Sequence, residues 1–535
     1  MTKDTFVSEL CRNVARWLFF AVVSAFFSLF WAGVLMAQAQ NPILWSDVPD
    51  VSVLRVGETY YMASTTMHLN PGLPIMKSKD LINWELASYA YETHEDCDAM
   101  ALRNGRNAYG SGTWASSLRY RDGIFYVATF SPTIGKTLIY TTENPDKTPW
   151  KLHAEIQPMF HDASLFLEDD GSAYLIGGAG NIVIRELTPD LKGYRSDGVN
   201  QVLIPDAWKI ASPRSALAEG SQVFKVDGKY YVFIICWPPG GMRTVLVYRA
   251  ENLLGPYEGR IALQDRGIAQ GGIFDTPDGK WFAMLFRDAG AVGRIPYVLP
   301  VEWQDGWPIL GVDGRVPDVL PLPPARHAIP PFIASDEFDA PNLSPAWQWN
   351  HLPVLEFVSL SKRPGFLRLT SSRIDDDFTQ TQNTLTQRTF GPRCSGETCL
   401  DFSLLNDGDF AGLGLLQRDY ACLAVRQREG QRALVLSAFM EGGVRELAEV
   451  PLPEGVSQIR LKAVCDFQDQ RDIATFFYTL DPAGSEWIPI GSGIPMRYTL
   501  PHFMGYRFAL FQFSTQNVGG SADFDWFQTK MVPEQ

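Results

Sequence analysis

The chain has 535 residues, which is too long for a single hydrophobic core, so we expect two domains. Hydrophobic residues make up 46% of it and aromatic residues 13%, with 45 glycines and 36 prolines, a mixture typical of an all-β, turn-rich globular protein. The formal net charge is −14 and no basic cluster interrupts it, which argues against nucleic acid and anionic membrane surfaces as partners.

The N-terminus has the features of an export signal. Arg12 and Arg16 precede an apolar run from Trp17 to Ala37, and Ala37-Gln38-Ala39 is a small-residue cleavage site. We therefore predict a signal peptide at residues 1–39 and a secreted or periplasmic protein. The apolar run is also long enough to span a bilayer, so an uncleaved membrane anchor is the alternative.

Five short stretches between residues 41 and 316 resemble one another. Each is a tight turn followed by an aromatic-rich apolar strand, the short-range signature of a β-hairpin. Their turn glycines are Gly57, Gly123, Gly171, Gly228 and Gly279. Because these glycines recur every 48 to 66 residues, the pattern predicts one propeller blade per repeat, hence a five-bladed β-propeller.

A second regularity lies seven to nine residues before each turn glycine. The residues at this offset are Asp50, Trp114, Asp162, Glu219 and Gln270. If each repeat is a blade, these positions are equivalent and lie on the innermost strands, so three carboxylates point into one central space. A lone aspartate before a strand is usually a turn or cap residue, but three acids at matching offsets favour a functional site.

The repeats end at a proline-rich segment. Six prolines between Pro317 and Pro331 forbid regular strand pairing, so residues 317–334 are interpreted as a linker. Residues 335–530 also show strand patterns, such as the alternation over 458–464, but they lack the blade repeat. A β-sandwich is the architecture that this second region favours.

Three acids at one end of a propeller channel suit glycoside hydrolysis. That reaction needs one carboxylic acid to protonate the leaving oxygen and a second carboxylate that activates water or attacks the sugar. We expect Asp50 to be partly hydrated and ionised, as a base requires. Glu219, between the small residues Ala218 and Gly220, suits a general acid, and Asp162 suits a tuning role because it heads an apolar strand.

Several motifs in the first region resemble glycoside hydrolase family 43. They occur in the expected order along residues 41–316, and the most specific are Pro49-Asp50-Val51-Ser52, Gly112-Thr113-Trp114-Ala115, Phe160-His161-Asp162-Ala163-Ser164, Ala218-Glu219-Gly220 and Gly293-Arg294. The resemblance implies a five-bladed propeller and inversion of anomeric configuration. It also implies that Asp50 is the general base, Asp162 the pKa modulator and Glu219 the general acid. Residues 335–530 resemble the concanavalin A-like sandwich of the β-xylosidase branch.

The resemblance also suggests substrate-binding residues. Trp114 would offer an aromatic face to a sugar ring, with ordinary core packing as its alternative. His68 would hydrogen-bond the terminal sugar, unless it is a solvated loop residue. Arg294 is similar to the active-site arginine of the family and would pair with a carboxylate or a sugar hydroxyl; a purely structural ion pair is its alternative.

The fifth repeat departs from the family. Many relatives have a histidine there, at a channel site for metal or water, whereas this chain has Ala269-Gln270-Gly271-Gly272. We count Gln270 among the candidate substrate-binding residues; its amide oxygen can also coordinate an ion, but it would hold calcium less securely. The sequence therefore predicts no metal and no other cofactor, with a channel calcium as the open alternative.

These features predict an exported, inverting, exo-acting glycosidase that releases xylose, arabinose or both from plant polysaccharides or oligosaccharides. One rival is a non-catalytic carbohydrate-binding propeller, and another is a retaining fructan or sucrose hydrolase on a similar fold. The expected partner is a carbohydrate substrate, and the sequence leaves the oligomeric state open. Cys394 and Cys399 flank a short turn-like stretch, so they either form a disulfide or remain isolated thiols.

Overall fold

A computed structural model describes residues 38–534 apart from 441, 482, 483, 485, 500 and 501. Residues 1–37 of the predicted signal peptide lie outside the described residues, and its last two, Gln38 and Ala39, lie within them. No helix among the described residues has the length and apolar character needed to cross a bilayer. The helices described are single 3₁₀ turns at Gly290–Val292, Leu355–Phe357, Phe378–Gln380 and Gln468–Gln470.

The first region is a five-bladed β-propeller, as the repeats predict. A short strand, β1 (Ala39–Gln40), precedes the blades. Blade 1 contains β2 (Ser52–Val56), β3 (Thr59–Ala63), β5 (Gly72–Ser78) and β6 (Glu85–Tyr91), and β4 (Leu69–Asn70) leaves it for another sheet. Blade 2 contains β7 (Ser116–Arg121), β8 (Ile124–Ser131), β9 (Lys136–Thr142) and β10 (Lys151–Ile156).

The three remaining blades follow the same order of four antiparallel strands. Blade 3 contains β11 (Ser164–Leu167), β12 (Ala173–Gly177), β13 (Ile182–Glu186) and β14 (Asn200–Ile204). Blade 4 contains β15 (Leu217–Val226), β16 (Lys229–Trp237), β17 (Thr244–Ala250) and β18 (Glu258–Leu263). Blade 5 contains β19 (Ala269–Asp275), β20 (Trp281–Asp288), β21 (Arg294–Gln304) and β22 (Trp307–Leu310), and the short β23 (Val319–Leu320) comes after it.

The five turn glycines connect the first and second strand of each blade. In blades 2 and 4 the turn pairs are Asp122-Gly123 and Asp227-Gly228, and all four residues have positive φ. This is the type I′ geometry, which matches the right-handed twist of the flanking strands and which Asp-Gly pairs adopt readily. Local turn chemistry thus explains why the repeats could be recognised in the sequence.

The first strand of each blade faces the central channel, and β19 packs beside β2 to close the ring. Neighbouring inner strands are joined by serine hydroxyls that accept hydrogen bonds from backbone amides of the next blade. These bonds run from Leu118 N to Ser52 Oγ, from Leu165 N to Ser117 Oγ and from Val223 N to Ser164 Oγ, at 3.0 to 3.1 Å. Because the contacts satisfy buried backbone donors, they stabilise the packing of the inner strands of blades 1 to 4.

The second region is a β-sandwich of two antiparallel sheets, again as predicted. Its strands are β24 (Gln348–Asn350), β25 (Val358–Ser359), β26 (Leu367–Thr370), β27 (Leu385–Arg388), β28 (Arg393–Asp401), β29 (Asp409–Leu416), β30 (Ala421–Arg428), β31 (Gln431–Met440), β32 (Gly443–Pro451), β33 (Gln458–Asp466), β34 (Ile473–Thr479), β35 (Ile488–Pro495), β36 (Arg507–Ser514) and β37 (Ser521–Met531). One sheet has the order β32-β31-β30-β29-β36-β27-β24-β4, and the other β25-β26-β37-β28-β33-β34-β35.

The propeller and the sandwich are packed tightly together. Strand β4, which belongs to the propeller by sequence, pairs with β24 at the edge of the eight-stranded sheet. The bridge between Ser46 and Phe390 adds a second backbone connection, and the largest hydrophobic cluster contains buried residues of both regions. The sandwich is therefore in a position to contribute side chains to the propeller channel.

The cysteines are not paired as one sequence alternative proposed. Cys394 and Cys399 lie five residues apart in the extended strand β28, so they cannot reach each other. Cys394 instead lies opposite Cys465 on β33. All cysteines in the described residues are free thiols.

Candidate active site

A cavity opens at the end of the propeller channel where the inner strands begin. Its volume is about 660 Å³, including the space at its mouth. The lining residues are Asp50, Met67, Trp114, Ala115, His161, Asp162, Leu217, Glu219, Trp237, Gln270, Arg294 and Phe503. The structure therefore brings the five residues at equivalent repeat positions to one site, together with Arg294.

Several of these residues have an unusual backbone conformation. Asp50, Asp162 and Gln270 have φ of 52°, 46° and 55°, in the left-handed region. Asp50 and Asp162 each lie two residues before an inner strand, and Gln270 lies at a register shift in β19. This conformation is disfavoured for residues with a β-carbon, and such positions cluster at functional sites because the surrounding fold holds them in place.

Asp50 is held by an ion pair with Arg294. Arg294 Nη1 donates to Asp50 Oδ1 at 2.9 Å, and both side chains are about 6% exposed. Arg294 Nε also donates to Asp288 Oδ1 at 3.2 Å and to the hydroxyl of Tyr498 at 3.1 Å. Asp288 in turn forms an ion pair with Arg243. The network positions the carboxylate of Asp50 through partners from blades 4 and 5 and from the sandwich.

Glu219 is held by a histidine. His161 Nε2 and Glu219 Oε2 are 2.9 Å apart, and the same nitrogen lies 3.8 Å from Asp162 Oδ2. Asp162 Oδ2 accepts a hydrogen bond from the backbone amide of Gly220 at 3.0 Å, next to Glu219 in the chain. Asp162 therefore connects blade 3 to the segment that carries Glu219, and His161 contacts the Glu219 carboxylate itself.

Burial alters the pKa of two of these acids, Asp50 and Asp162. Burial raises the pKa of Asp50 above its ordinary value, although the charge of Arg294 opposes the change. Burial raises the pKa of Asp162 to about 7; the charge of His161 opposes this, and those of Glu219 and Asp50 add to it. The expectation that Asp50 is partly hydrated is wrong, because only 6% of it is exposed and Arg294, rather than water, stabilises its charge.

Arg294 stays charged within the cavity wall. Burial acts to lower the pKa of its guanidinium, but Tyr498, Asp50 and Asp288 outweigh this effect and the pKa is raised. A permanent cation therefore lies between two carboxylates. The predicted contact with a carboxylate is present, and the guanidinium also lines the cavity.

Aromatic side chains form the walls. Trp114 donates from Nε1 to the backbone oxygen of Gly110 at 3.0 Å, which fixes its ring against the cavity. The ring of Phe503, from the sandwich, lies 5.7 Å from that of Trp114. On the opposite blade Trp237 stacks against the guanidinium of Arg243 at 3.6 Å. Such aromatic walls suit the apolar faces of sugar rings.

His68 is not at the cavity. It is 1% exposed, its Nε2 contacts the side-chain oxygen of Asn350 at 3.0 Å, and its ring packs against His351 of the sandwich at 4.4 Å. The sequence-based expectation of a direct contact with the terminal sugar, and its alternative of a solvated loop, are both corrected here. The reason is that the loop with β4 inserts into the sandwich sheet, where the histidine becomes part of the interface.

Gln270 lines the cavity. Its side chain packs against Gly220, and calcium, which takes six to eight oxygen ligands, would need further oxygens besides the Gln270 amide. Within the described residues, one group of histidine and acidic side chains, at 161, 162 and 219, has its polar atoms within 4.8 Å of one another. Because the histidine nitrogen there already contacts the glutamate, we interpret this group as a hydrogen-bonded acid cluster.

Sequence reasoning did not assign His161, Trp237, Asp288, Tyr498 or Phe503. His161 directly precedes Asp162 in the motif of residues 160–164, so the sequence could have indicated that it lies near the acids. The others carry no local pattern that distinguishes them from ordinary strand and loop residues, and Tyr498 and Phe503 belong to the other domain. Only the packing of the sandwich against the propeller brings Phe503 to the cavity and Tyr498 to Arg294.

The cavity contains two carboxyl groups with different partners. Asp50 offers a carboxylate that is held by Arg294, and Glu219 offers a carboxyl that shares a hydrogen bond with His161. Asp162 lies near enough to both for its charge to interact with theirs. One acid with a proton to donate and one carboxylate able to accept a proton from water are what hydrolysis of an acetal requires.

Comparison with known family models agrees with this geometry. The model of glycosyl hydrolases family 43 matches residues 39–308. The model of the β-xylosidase C-terminal concanavalin A-like domain matches residues 335–530.

Individual relatives were found in both sequence and structure. A β-xylosidase of Formosa agariphila is 30% identical, over 66% of this chain and 68% of that protein. A non-reducing end α-L-arabinofuranosidase of Bacteroides ovatus is 27% identical, over 79% of this chain and 83% of that protein. A bifunctional GH43-CE structure from Bacteroides eggerthii is 51% identical with a TM-score of 0.90; the match covers 93% of this chain but 64% of that longer one.

Proposed function

The chain belongs to glycoside hydrolase family 43, and from that membership we propose that it is an exo-acting pentosidase that releases xylose, arabinose or both from plant polysaccharides or oligosaccharides. The family acts with inversion of anomeric configuration. The observation that carries the proposal is that Asp50, Asp162, Glu219 and Arg294 all line one cavity.

Each acid has a distinct part in this proposal. Glu219 protonates the glycosidic oxygen while the bond to the anomeric carbon breaks. Asp50 takes a proton from the water that attacks the opposite face of the sugar, and Arg294 keeps Asp50 in position as the carboxylate. Asp162 holds the segment of Glu219 through the Gly220 amide and sets the local charge.

The exo mode is supported by the walls of the cavity. Phe503 of the sandwich lines one side of the cavity, and Tyr498 of the same segment bonds to Arg294 in the cavity wall, so the sandwich restricts that side of the channel mouth. A pocket of this kind accepts the end of a chain. The relatives' names support both sugars, a β-xylosidase in one case and an α-L-arabinofuranosidase in the other.

The test compares hydrolysis of nitrophenyl β-D-xylopyranoside and nitrophenyl α-L-arabinofuranoside, with the product anomer followed by NMR in the first minutes. We expect turnover of at least one substrate with inversion. Retention would contradict the inverting mechanism and favour a carboxylate nucleophile. No turnover of either substrate would favour a carbohydrate-binding propeller. Release of internal fragments from xylan or arabinan, rather than single sugars, would contradict exo action.

Export is a separate proposal, and the N-terminal sequence supports it. Expression in the natural host followed by fractionation and N-terminal sequencing tests it. We expect a mature chain that begins at Gln40 outside the cytoplasm. A protein that retains residues 1–39 in the membrane fraction would instead support the uncleaved anchor.

A further inference from the structure

His161 is a titratable side chain in contact with Glu219 that has no part in the proposed hydrolysis so far. It comes from the loop before β11 in blade 3 and reaches Glu219 on β15 of blade 4, with Nε2 and Oε2 2.9 Å apart. Its ring lies 5.1 Å from that of Phe130 and 6.1 Å from that of Trp114, so aromatic neighbours fix its orientation. About 30% of the side chain is exposed, which leaves a path to water.

We propose that His161 is the proton-holding partner of Glu219: the two side chains share one proton across Nε2 and Oε2, and that shared proton passes to the departing glycosidic oxygen. This inference rests on the proposed function, in which Glu219 is the general acid. His161 is thus a positioning residue that acts through Glu219 and does not itself touch the substrate.

The chemical need for such a partner is clear. A glutamic acid with an ordinary pKa near 4.3 is ionised at neutral pH and has no proton to donate. Paired with a histidine, the glutamate holds a proton in either of two arrangements, imidazolium with carboxylate or imidazole with carboxylic acid. If the two side chains share that proton, it stays available for transfer until neither of them holds it.

The charges that face His161 keep that proton in place. Glu219 on β15 and Asp162 on the same loop are its titratable neighbours, and Phe130 and Trp114 add no charge. Burial acts to lower the pKa of His161, but the hydrogen bond with Glu219 and the charge of Asp162 outweigh it and the pKa is raised. The cation of Arg294 lies between Asp50 and Asp288, which offset its charge.

The proton balance over one turnover closes with water alone. The shared proton moves to Oε2 and from there to the glycosidic oxygen as the bond to the anomeric carbon breaks. Attack by water leaves one proton on Asp50, and Asp50 then returns it to solvent. The imidazole–carboxylate pair takes one proton from solvent, and the starting state is restored.

The experiment compares wild type with His161→Gln and His161→Ala. Glutamine places an amide nitrogen near the position of Nε2 and donates a hydrogen bond, but it holds no transferable proton. The measurement is kcat/KM against pH on a xylo- or arabino-oligosaccharide, which needs the acid, and on a 2,4-dinitrophenyl pentoside, which does not. His327→Gln, on the exposed linker, is the matched control.

For His161→Gln we expect the basic limb on the oligosaccharide to move about one pH unit lower, which is a loss of about tenfold above that limb. On the dinitrophenyl substrate the change should stay within about threefold, and His161→Ala should lose more on the oligosaccharide. An unchanged basic limb in His161→Gln, or equal losses on both substrates, would overturn the proposal. If the proposed function itself were wrong, the wild-type protein would hydrolyse no pentoside, and this outcome differs from any effect of the His161 variants.

A second measurement does not depend on turnover or on a His161 variant. In protein with ¹⁵N-labelled histidine, the pKa of the His161 ring is followed by NMR in wild type and in Glu219→Gln. We expect the pKa of His161 to fall when the carboxylate is removed. The same pKa in both proteins would show that the two groups do not share a proton, and the proposal would fail.

Discussion

At the residue scale, the two opposed carboxyl groups are distinguished by their partners. Asp50 is paired with a permanent cation, whereas Glu219 is paired with a histidine that exchanges protons. An arginine partner favours the charged form of a carboxyl, and a histidine partner allows both forms. The partners therefore suit Asp50 to accept a proton and Glu219 to donate one.

This difference predicts opposite substrate dependence for the two acids. Glu219→Ala should lose about a thousandfold on oligosaccharides but far less on a dinitrophenyl pentoside, because a good leaving group needs no protonation. Asp50→Gly should lose about a thousandfold on both, because water needs its base whatever the leaving group. Glycine accepts φ of 52°, so the backbone there remains unstrained. Equal losses for Glu219→Ala on both substrates would contradict its role as the acid.

The ion pair of Arg294 predicts a shift in the acidic limb. Burial raises the pKa of Asp50 and Arg294 is the largest influence against it, so Arg294→Met should raise that pKa further. Because the base must be ionised, activity would then be lost at a higher pH as the solution is acidified, by about one to three units. The pH dependence of kcat/KM measures the limb.

The control for this prediction is Arg287→Met, a neighbouring arginine that does not line the cavity. Its acidic limb should match wild type. An unchanged limb in Arg294→Met would mean that the charge of Arg294 does not govern Asp50.

At the element scale, the site depends on a close contact between the propeller and the sandwich segment that carries Tyr498 and Phe503. Gly505 of this segment lies against blade 5, where an added β-carbon would be 2.2 Å from the backbone oxygen of Val292 and 3.0 Å from the amide of Gly293. Backbone atoms cannot rotate away as side chains do, so glycine is required for the approach.

Gly505→Ala should therefore push the segment off the propeller. We expect a loss of about 1 to 3 kcal/mol in the free energy of unfolding and a lower kcat/KM, because Phe503 and Tyr498 leave their places. Thermal unfolding and kinetics measure the two effects. Gly193→Ala is the control, because an added β-carbon there meets nothing within 4 Å. Wild-type activity in Gly505→Ala would contradict the importance of this contact.

At the scale of the whole molecule, the interface buries three histidines. His68 comes from the propeller, and His351 and His502 come from the sandwich. Burial lowers the pKa of His502 to about 3, and burial also lowers the pKa of His68 and of His351 well below the usual range. The interface therefore requires neutral imidazoles.

The sign of the pH effect follows from these pKa values. Below about pH 6.5 these histidines bind protons in the unfolded chain but stay neutral in the folded interface. The free energy of unfolding therefore falls as the pH decreases from 6.5 toward 3. The contribution of His502 to the free energy of unfolding then falls by up to about 1.4 kcal/mol per pH unit. His502→Phe should lose less stability than wild type between pH 7.5 and 5.

Thermal unfolding midpoints at several pH values check this prediction. Phenylalanine keeps a ring to stack on Tyr109, whose ring lies 5.3 Å from that of His502. His327→Phe, on the exposed linker, serves as the control and should follow wild type. Parallel pH profiles for His502→Phe and wild type would show that His502 does not limit stability in acid.

Those parts of the fold that depend on short sequence patterns could be predicted from the sequence. Gly57, Asp122-Gly123 and Asp227-Gly228 specify turns through adjacent residues, so the blades and their inner strands were recognisable. The sandwich was predictable only as a class, because its alternating strands are compatible with many pairing orders. Its actual order, with β4 of the propeller at one edge, depends on contacts between residues hundreds of positions apart.

The five-fold repeat and the three acids at matching offsets could be recognised from local sequence, because turn chemistry and strand alternation depend on neighbouring residues. The partners of those acids follow only from the three-dimensional packing. Asp50 meets Arg294 across 244 positions of sequence and Glu219 meets His161 across 58, and no local pattern encodes such pairs. The packing of the two domains also places His68 in their interface and Phe503 in the cavity wall. Such contacts between distant segments form only when the two domains assemble.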